Sequence, residues 1–163
     1  MNSSLRIRAA TVQDVPLIFT LIRELADYEK LTHEVLATEG ALRRTLFGAH
    51  PAAEVLMGEL GGEPAGFALF FPSYSTFLAR PGIYLEDLYV RLPLRGRGVG
   101  RALLARVAAL VEERGCGRLE WSVLDWNEPA LKFYASLGAK PMSEWTMCRV
   151  TGDALRALAA LKT

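Results

Sequence analysis

The stretch Arg95-Gly96-Arg97-Gly98-Val99-Gly100 joins an apolar, strand-like run, Ile83 to Val90, to a long amphipathic one, Arg101 to Arg114. A strand that feeds a glycine-rich turn and then a helix start builds an anion site. Unpaired backbone N–H groups and the positive end of the helix dipole converge there, and glycines let phosphate oxygens approach the main chain. The order strand, glycine turn, helix therefore predicts both an α/β fold and a ligand that carries phosphate.

Two well-known phosphate motifs are excluded. The run lacks the Gly-Lys-Ser/Thr ending of a P-loop, so no lysine and hydroxyl stand ready for a nucleoside triphosphate and its magnesium. A dinucleotide fingerprint needs a third glycine three residues after Gly98, and Arg101 stands there. The remaining pattern, Arg-x-x-Gly-x-Gly, is a glycine turn that many strand–helix junctions share. Specificity comes from a second segment downstream, Val123-Leu124-Asp125-Trp126-Asn127-Glu128-Pro129, followed by Lys132-Phe133-Tyr134 and Leu137-Gly138-Ala139.

Together the two segments resemble the signatures of the GNAT N-acetyltransferase superfamily. With Ile7 to Asp14 near the N-terminus, the resemblance covers nearly the whole chain. It implies an α/β fold with a mixed, mostly antiparallel central sheet and flanking helices. The strands near residues 85 and 121 are expected to splay and admit the pantetheine of acetyl-CoA. Residues 96 to 100, with Arg95 and Arg101 at either end, are then the pyrophosphate turn. Backbone N–H groups of Leu88, Tyr89 and Val90 are expected to hold the pantetheine and polarise the thioester. Asn127, Pro129 and Phe133 complete the expected cofactor contacts.

Length and composition agree with one domain over 1–163. The 163 residues are 51% hydrophobic and 23% charged, an ordinary globular composition able to bury a core without staples. Nineteen basic and 18 acidic residues leave a net charge of +1, which does not point to nucleic acid. Cys116 and Cys148, with the distant His33 and His50, do not form a metal-binding pattern. Neither a membrane-length apolar run nor a signal-like opening is present, so a cytoplasmic protein is expected.

Periodicity gives a coarse map. Leu5 to Ala9 reads as a strand, Thr11 to Tyr28 as a helix start and helix, and Thr38 to Gly48 as a second helix. Ala53 to Leu60 and Ala65 to Phe71 read as a hairpin whose turn extends through Pro64. Ser73 to Gly82 reads as a loop or bent strand before the strand at Ile83 to Val90. Leu119 to Leu124 reads as a strand, Asn127 to Gly138 as a short helix, Trp145 to Val150 as a late strand, and Thr151 to Leu161 as a helix capped by Thr151.

Acetyl transfer from a thioester to an amine needs a neutral nitrogen, donors for the oxyanion and a proton for the leaving thiolate. An amine with a pKa near 10.4 is neutral in about one molecule per thousand near pH 7.4. Supplying that form unaided adds ~4 kcal/mol to the barrier, so a proton acceptor matters. Glu86 and Asp87 interrupt an otherwise apolar strand, and simple alternation sends them to opposite faces. A salt-bridged pair at a sheet edge would look the same. The resemblance to the diamine and thialysine acetyltransferase branch gives the acceptor role to Glu86 and leaves Asp87 to attract the cationic substrate. It gives the acid role to Tyr134, which would otherwise be core packing.

The same branch is resembled by Glu24 to Leu31, Tyr84 to Asp87, Leu124 to Asn127 and Glu144-Trp145. It implies that Tyr28, Glu29 and Glu144 line the acceptor site, where carboxylates would pair the extra positive charge of the acceptor. Glu29 as a solvated helix end and Glu144 as a turn residue are the plain alternatives. The segment Tyr74-Ser75-Thr76-Phe77 lacks the acidic residue of polyamine acetyltransferases, which favours a lysine- or thialysine-like amine over spermidine. The expectation is direct transfer in a ternary complex, in a homodimer, with no metal. A peptide N-acetyltransferase and a non-catalytic CoA-binding module are the competing readings.

Overall fold

The computed structural model describes residues 4–161. Its centre is a five-stranded sheet in the order β1-β2-β3-β4-β5. The strands are β1 (Leu5–Ala9), β2 (Glu54–Leu60), β3 (Glu63–Ser75), β4 (Arg80–Val90) and β5 (Leu119–Trp121). The first three pairings are antiparallel and β4–β5 is parallel. Helices α1 (Val15–Tyr28), α2 (Glu39–Phe47) and α3 (Val99–Glu113) complete a unit that reaches Ser122. A second unit, from Val123, carries α4 (Glu128–Ser136) and α5 (Gly152–Ala159).

Helix α1 begins after a 3₁₀ turn at Val12–Asp14, with Pro16 in its first turn, where a missing N–H costs nothing. Its stripe of Ile18, Leu21 and Leu25 packs with Val55, Met57, Phe67, Leu69 and Tyr89 from one sheet face. Burial of each such side chain contributes about 1.5–3 kcal/mol. Arg8 clamps the helix start to the sheet, with its two Nη atoms 2.7 and 2.9 Å from the Asp14 carboxylate and its Nε 2.6 Å from Glu59. The Arg8 fork holds the Asp14 carboxyl down at about 2. Thr38 caps α2, its hydroxyl accepting from the Ala41 N–H at 3.1 Å.

Helix α3 covers the opposite sheet face. A Cβ added to Gly58 on β2 would stand 3.0 Å from Val99 and 3.4 Å from Leu103. The sheet therefore has a face bearing α1 and a face bearing α3, and β4 contributes residues to both.

Several expectations change. Residues 61 and 62 both take positive φ, 64° and 86°, so the β2–β3 turn is the tight glycine pair and Pro64 lies inside β3. Of the loop and bent-strand readings of Ser73 to Gly82, the strand holds at both ends, since β3 runs to Ser75 and β4 starts at Arg80, registered Ser75 with Arg80. Strand β5 stops at Trp121 instead of Leu124. Residues 145–150 form no strand, and all are exposed. Among its described residues the second unit offers no strand to pair with, and a lone strand is not stable. Thr151 occupies the N-cap position of α5, but its side chain makes no capping bond.

Candidate active site

After β4 ends at Val90 and a 3₁₀ turn at Leu92–Leu94, the glycine run starts α3 as its composition predicts. Gly96 and Gly98 have φ of 73° and 86°, and Gly98 is the N-cap of α3. Only glycine adopts this left-handed backbone without penalty. A Cβ added at either position would meet nothing within 4 Å, so the space above the turn is open. The first turn of α3 carries no acidic residue to oppose an anion, while Arg97 and Arg101 flank it. This cradle fits the diphosphate of acetyl-CoA in both backbone geometry and charge.

Strand β4 leaves part of one edge unpaired among the described residues. It pairs with β5 only over Ile83, Tyr84 and Leu85, and then continues five residues to Val90. Beyond Leu85 no strand lies on that side among the described residues. The Arg91 N–H donates to the Ala65 carbonyl at 2.9 Å on the β3 side. N–H groups alternate along an antiparallel strand, so that of Tyr89 also faces β3, while those of Leu88 and Val90 face the open edge. Tyr89 thus differs from its neighbours, and its ring lies 5% exposed in the α1 core.

The acidic pair sits where the sheet register slips. Leu69 pairs with Asp87 but Phe70 pairs with Leu85, leaving Glu86 as an extra residue, a β-bulge. Simple alternation fails as a result. Leu85 and Leu88, three apart, both face the side of Phe70 and Ala68. Asp87 shares the face of its partner Leu69, and therefore that of Phe67, Tyr89 and α1. Glu86 is exposed.

Asp87 is half-buried, and its carboxyl takes part in no hydrogen bond or ion pair among the described residues. Desolvation, with further help from the negative charges of Glu86 and Glu29, pushes it up to about 7. Burial also raises Glu29, which follows the last turn of α1. The first unit thus brings together three of the residues singled out as acceptor-binding: Glu29, Glu86 and Asp87.

Tyr28, the last residue of α1, precedes Glu29 and meets Arg95 of the glycine run. The Arg95 guanidinium lies 4.3 Å from the Tyr28 ring centroid and 5.7 Å from that of Tyr89, and its Nε donates to the Val90 carbonyl at 2.9 Å. Arg95 is therefore occupied with aromatic faces. A cleft beside it is lined by Glu24, Asp27, Tyr28, Tyr89 and Arg91. Arg91 forks onto Glu24 at 2.9 and 3.1 Å. Sequence reading did not single out Glu24 or Asp27 as site residues. The spacing of 24, 27 and 28 on one face of α1 is the signal that marks them.

In the second unit, Asn127 is 7% exposed and caps α4, its Oδ1 accepting from the Ala130 N–H at 3.3 Å. Pro129 lies in the first turn. Phe133 and Tyr134 stack obliquely with centroids 5.4 Å apart, and both are half-buried. Glu144 lies exposed in the turn closed by Trp145 N–H to Met142 O. No helix among the described residues is long and apolar enough to cross a membrane, and these residues contain no group of three potential metal-ligating side chains.

Residues 20–139 match the family described as Acetyltransferase (GNAT). The chain is 42% identical to the thialysine N-epsilon-acetyltransferase of Bos taurus, over 94% of this chain and 96% of the relative. It is 38% identical to the L-ornithine N5-acetyltransferase NATA1 of Arabidopsis thaliana, over 94% of this chain and 87% of the relative. Among solved structures, an integron cassette protein from V. cholerae superposes with a TM-score of 0.80 at 27% identity, covering 97% of this chain and 99% of the other.

Proposed function

The chain belongs to the GNAT acetyltransferase family and is an acetyl-CoA-dependent N-acetyltransferase of the diamine/thialysine branch; we propose that its acceptor is the primary amine of a small cationic, lysine-like molecule. The observation that carries this reading is the gathering of Glu29, Glu86 and Asp87 on and beside β4, just past its last residue paired with β5. Negative charge there lowers the cost of bringing an ammonium group out of water. The names of the relatives, thialysine and ornithine acetyltransferases, point the same way.

In this reading the whole chain, 1–163, acts as one catalytic domain and as a homodimer in the cytoplasm. The glycine turn holds the diphosphate of acetyl-CoA and the open edge at Leu88 and Val90 receives its pantetheine. These N–H groups offer donors to the thioester carbonyl, where negative charge develops during attack. Asn127, Pro129 and Phe133 support the cofactor, and Glu144 with Tyr28 lines the acceptor side. One carboxylate of the Glu86–Asp87 pair takes a proton from the ammonium, and the resemblance gives that role to Glu86. The freed nitrogen attacks the carbonyl carbon in a ternary complex, the C–S bond breaks, and the Tyr134 hydroxyl protonates the departing thiolate.

Thiol release from acetyl-CoA, measured with thialysine, lysine, ornithine, spermidine and short peptides, tests the substrate class. Turnover is expected with the amino-acid amines and weaker turnover with spermidine. A preference for peptides would replace the proposal with a protein acetyltransferase. Tyr134→Phe should lower kcat by about 10²–10⁴ and leave acetyl-CoA binding nearly unchanged. Full activity in that variant would remove Tyr134 from the mechanism.

A further inference from the structure

We propose that the cleft between α1 and the end of β4 binds the amino-acid head of the acceptor, with Asp27 pairing the α-ammonium and Arg91 the α-carboxylate. The proposal rests on the amine-acetyltransferase reading above. It narrows the acceptor class to free α-amino acids with a terminal amine, as against diamines and lysines within proteins.

The strand sets the line along which such an acceptor lies. Past the bulge β4 alternates regularly, with Asp87 paired to Leu69, Leu88 to Ala68 and Tyr89 to Phe67. Asp87 and Tyr89 therefore share the α1 face, and the Arg91 N–H continues the ladder onto the Ala65 carbonyl. The Arg91 side chain is on that face too, since its guanidinium reaches Glu24 of α1. Asp87, Tyr89 and Arg91 thus form one row. From Asp87 to Tyr89 the strand advances about 7 Å. The five single bonds from the terminal nitrogen of lysine to its α-carbon span about 6 Å when extended. An amine held at Glu29 and Asp87 therefore brings its α-carbon level with Tyr89, which lines the cleft.

The cleft has the size and the charges for that head. It encloses about 340 Å³, within the range of small-molecule sites. Its lining holds both signs, Glu24 and Asp27 from α1 and Arg91 after the end of β4. Glu24 is already matched, because Nη2 and Nε of Arg91 fork onto it at 2.9 and 3.1 Å. The Asp27 carboxylate is exposed and takes part in no hydrogen bond or ion pair among the described residues. Arg91 uses three of its five N–H groups, two on Glu24 and one on the Pro64 carbonyl at 3.3 Å. The remaining two are donors for a carboxylate, and the fork onto Glu24 fixes the plane in which they lie. The Arg91 side chain is 30% exposed, so a ligand can reach it. A zwitterionic head answers both the unmatched acid and the remaining donors. A diamine leaves the donors unanswered, and a lysine inside a protein chain carries neither head charge.

The test compares kcat and KM for lysine, cadaverine, 6-aminohexanoate and Nα-acetyl-lysine amide in the wild type, Asp27→Asn and Arg91→Lys. Cadaverine lacks only the carboxylate, 6-aminohexanoate only the α-ammonium, and the blocked lysine both charges. The wild type should favour lysine over either single deletion by about three- to tenfold in kcat/KM. Asp27→Asn should raise KM by a similar factor for lysine and cadaverine, with a smaller change for 6-aminohexanoate. Arg91→Lys keeps a charge beside Glu24 but loses the fork, and its rise in KM should fall on lysine and 6-aminohexanoate more than on cadaverine. In both variants kcat should change less than KM. Equal wild-type kcat/KM for lysine and its blocked amide would overturn the proposal and leave the acetyltransferase reading intact, as would variants that weaken all four acceptors alike. Absence of turnover with every amine would remove that reading, and the proposal with it. Calorimetric acetyl-CoA binding checks that each variant folds. If Arg91→Lys does not bind it, the wild-type series decides: lysine ahead of cadaverine supports the pairing with Arg91, and equality refutes it.

Discussion

The glycine turn at the start of α3 and the carboxylate bulge within β4 lie about ten residues apart in the chain, and they are built by different means. The turn is made of main chain: two glycines at positive φ, a helix start and open space above them. The bulge is made of side chains whose directions depend on a one-residue slip against β3. A site made of main chain tolerates variation around it and binds a shared cofactor. A site made of side chains on a bulge changes with each substitution, which suits recognition of a particular acceptor.

The difference can be attacked from either side. The largest effect on stability is expected at the bulge. Asp87 has a folded-state value near 7 and an unfolded value near 3.9, so the native state binds the extra proton between those limits. Stability should therefore fall as pH rises from about 4 to about 7, and the full cost should remain above that window. Asp87→Asn should accordingly raise stability at pH 8 by something on the order of 3 kcal/mol, less where water screens the carboxyl, and change little at pH 4. Denaturant melts at the two pH values measure it. An equal effect at both pH values would mean that desolvation of Asp87 does not matter.

A smaller effect is expected at the turn. Gly98→Ala places a Cβ on a left-handed N-cap at a cost of about 1–2 kcal/mol, without a clash because the space is open. Acetyl-CoA affinity should drop about tenfold while KM for the amine stays nearly constant. If the acceptor KM rose equally, the turn and the acceptor side would not be separable, and the Arg95–Tyr28 stack would be the first contact to suspect.

The same contrast explains what could be read from the chain. Strand, turn and helix around Gly96 and Gly98 follow from local rules, since glycine conformation and apolar periodicity are properties of neighbouring residues. So do α1, with its Ile18–Leu21–Leu25 stripe, and α2, with Thr38 as cap. The bulge did not follow. Alternation placed Glu86 and Asp87 on opposite faces, and only the register with Leu69 and Phe70 shows the slip. The high value of Asp87 was equally hidden, because it comes first from burial in the folded chain, then from Glu86 and from Glu29, 58 positions away in sequence. The strand expected at 145–150 failed for a related reason: its apolar pattern is local, but a strand exists only where another can pair with it.

The central claim, that the acidic bulge selects a small cationic amine for acetylation, is tested most directly by competition. Equal concentrations of thialysine, lysine and an N-terminal peptide should be offered with limiting acetyl-CoA, and the products separated by mass. The account predicts that acetyl groups accumulate on the amino-acid amines, and that Glu29→Gln combined with Glu86→Gln narrows the preference. Acetylation confined to the peptide, with the preference unaffected by loss of both carboxylates, would contradict it.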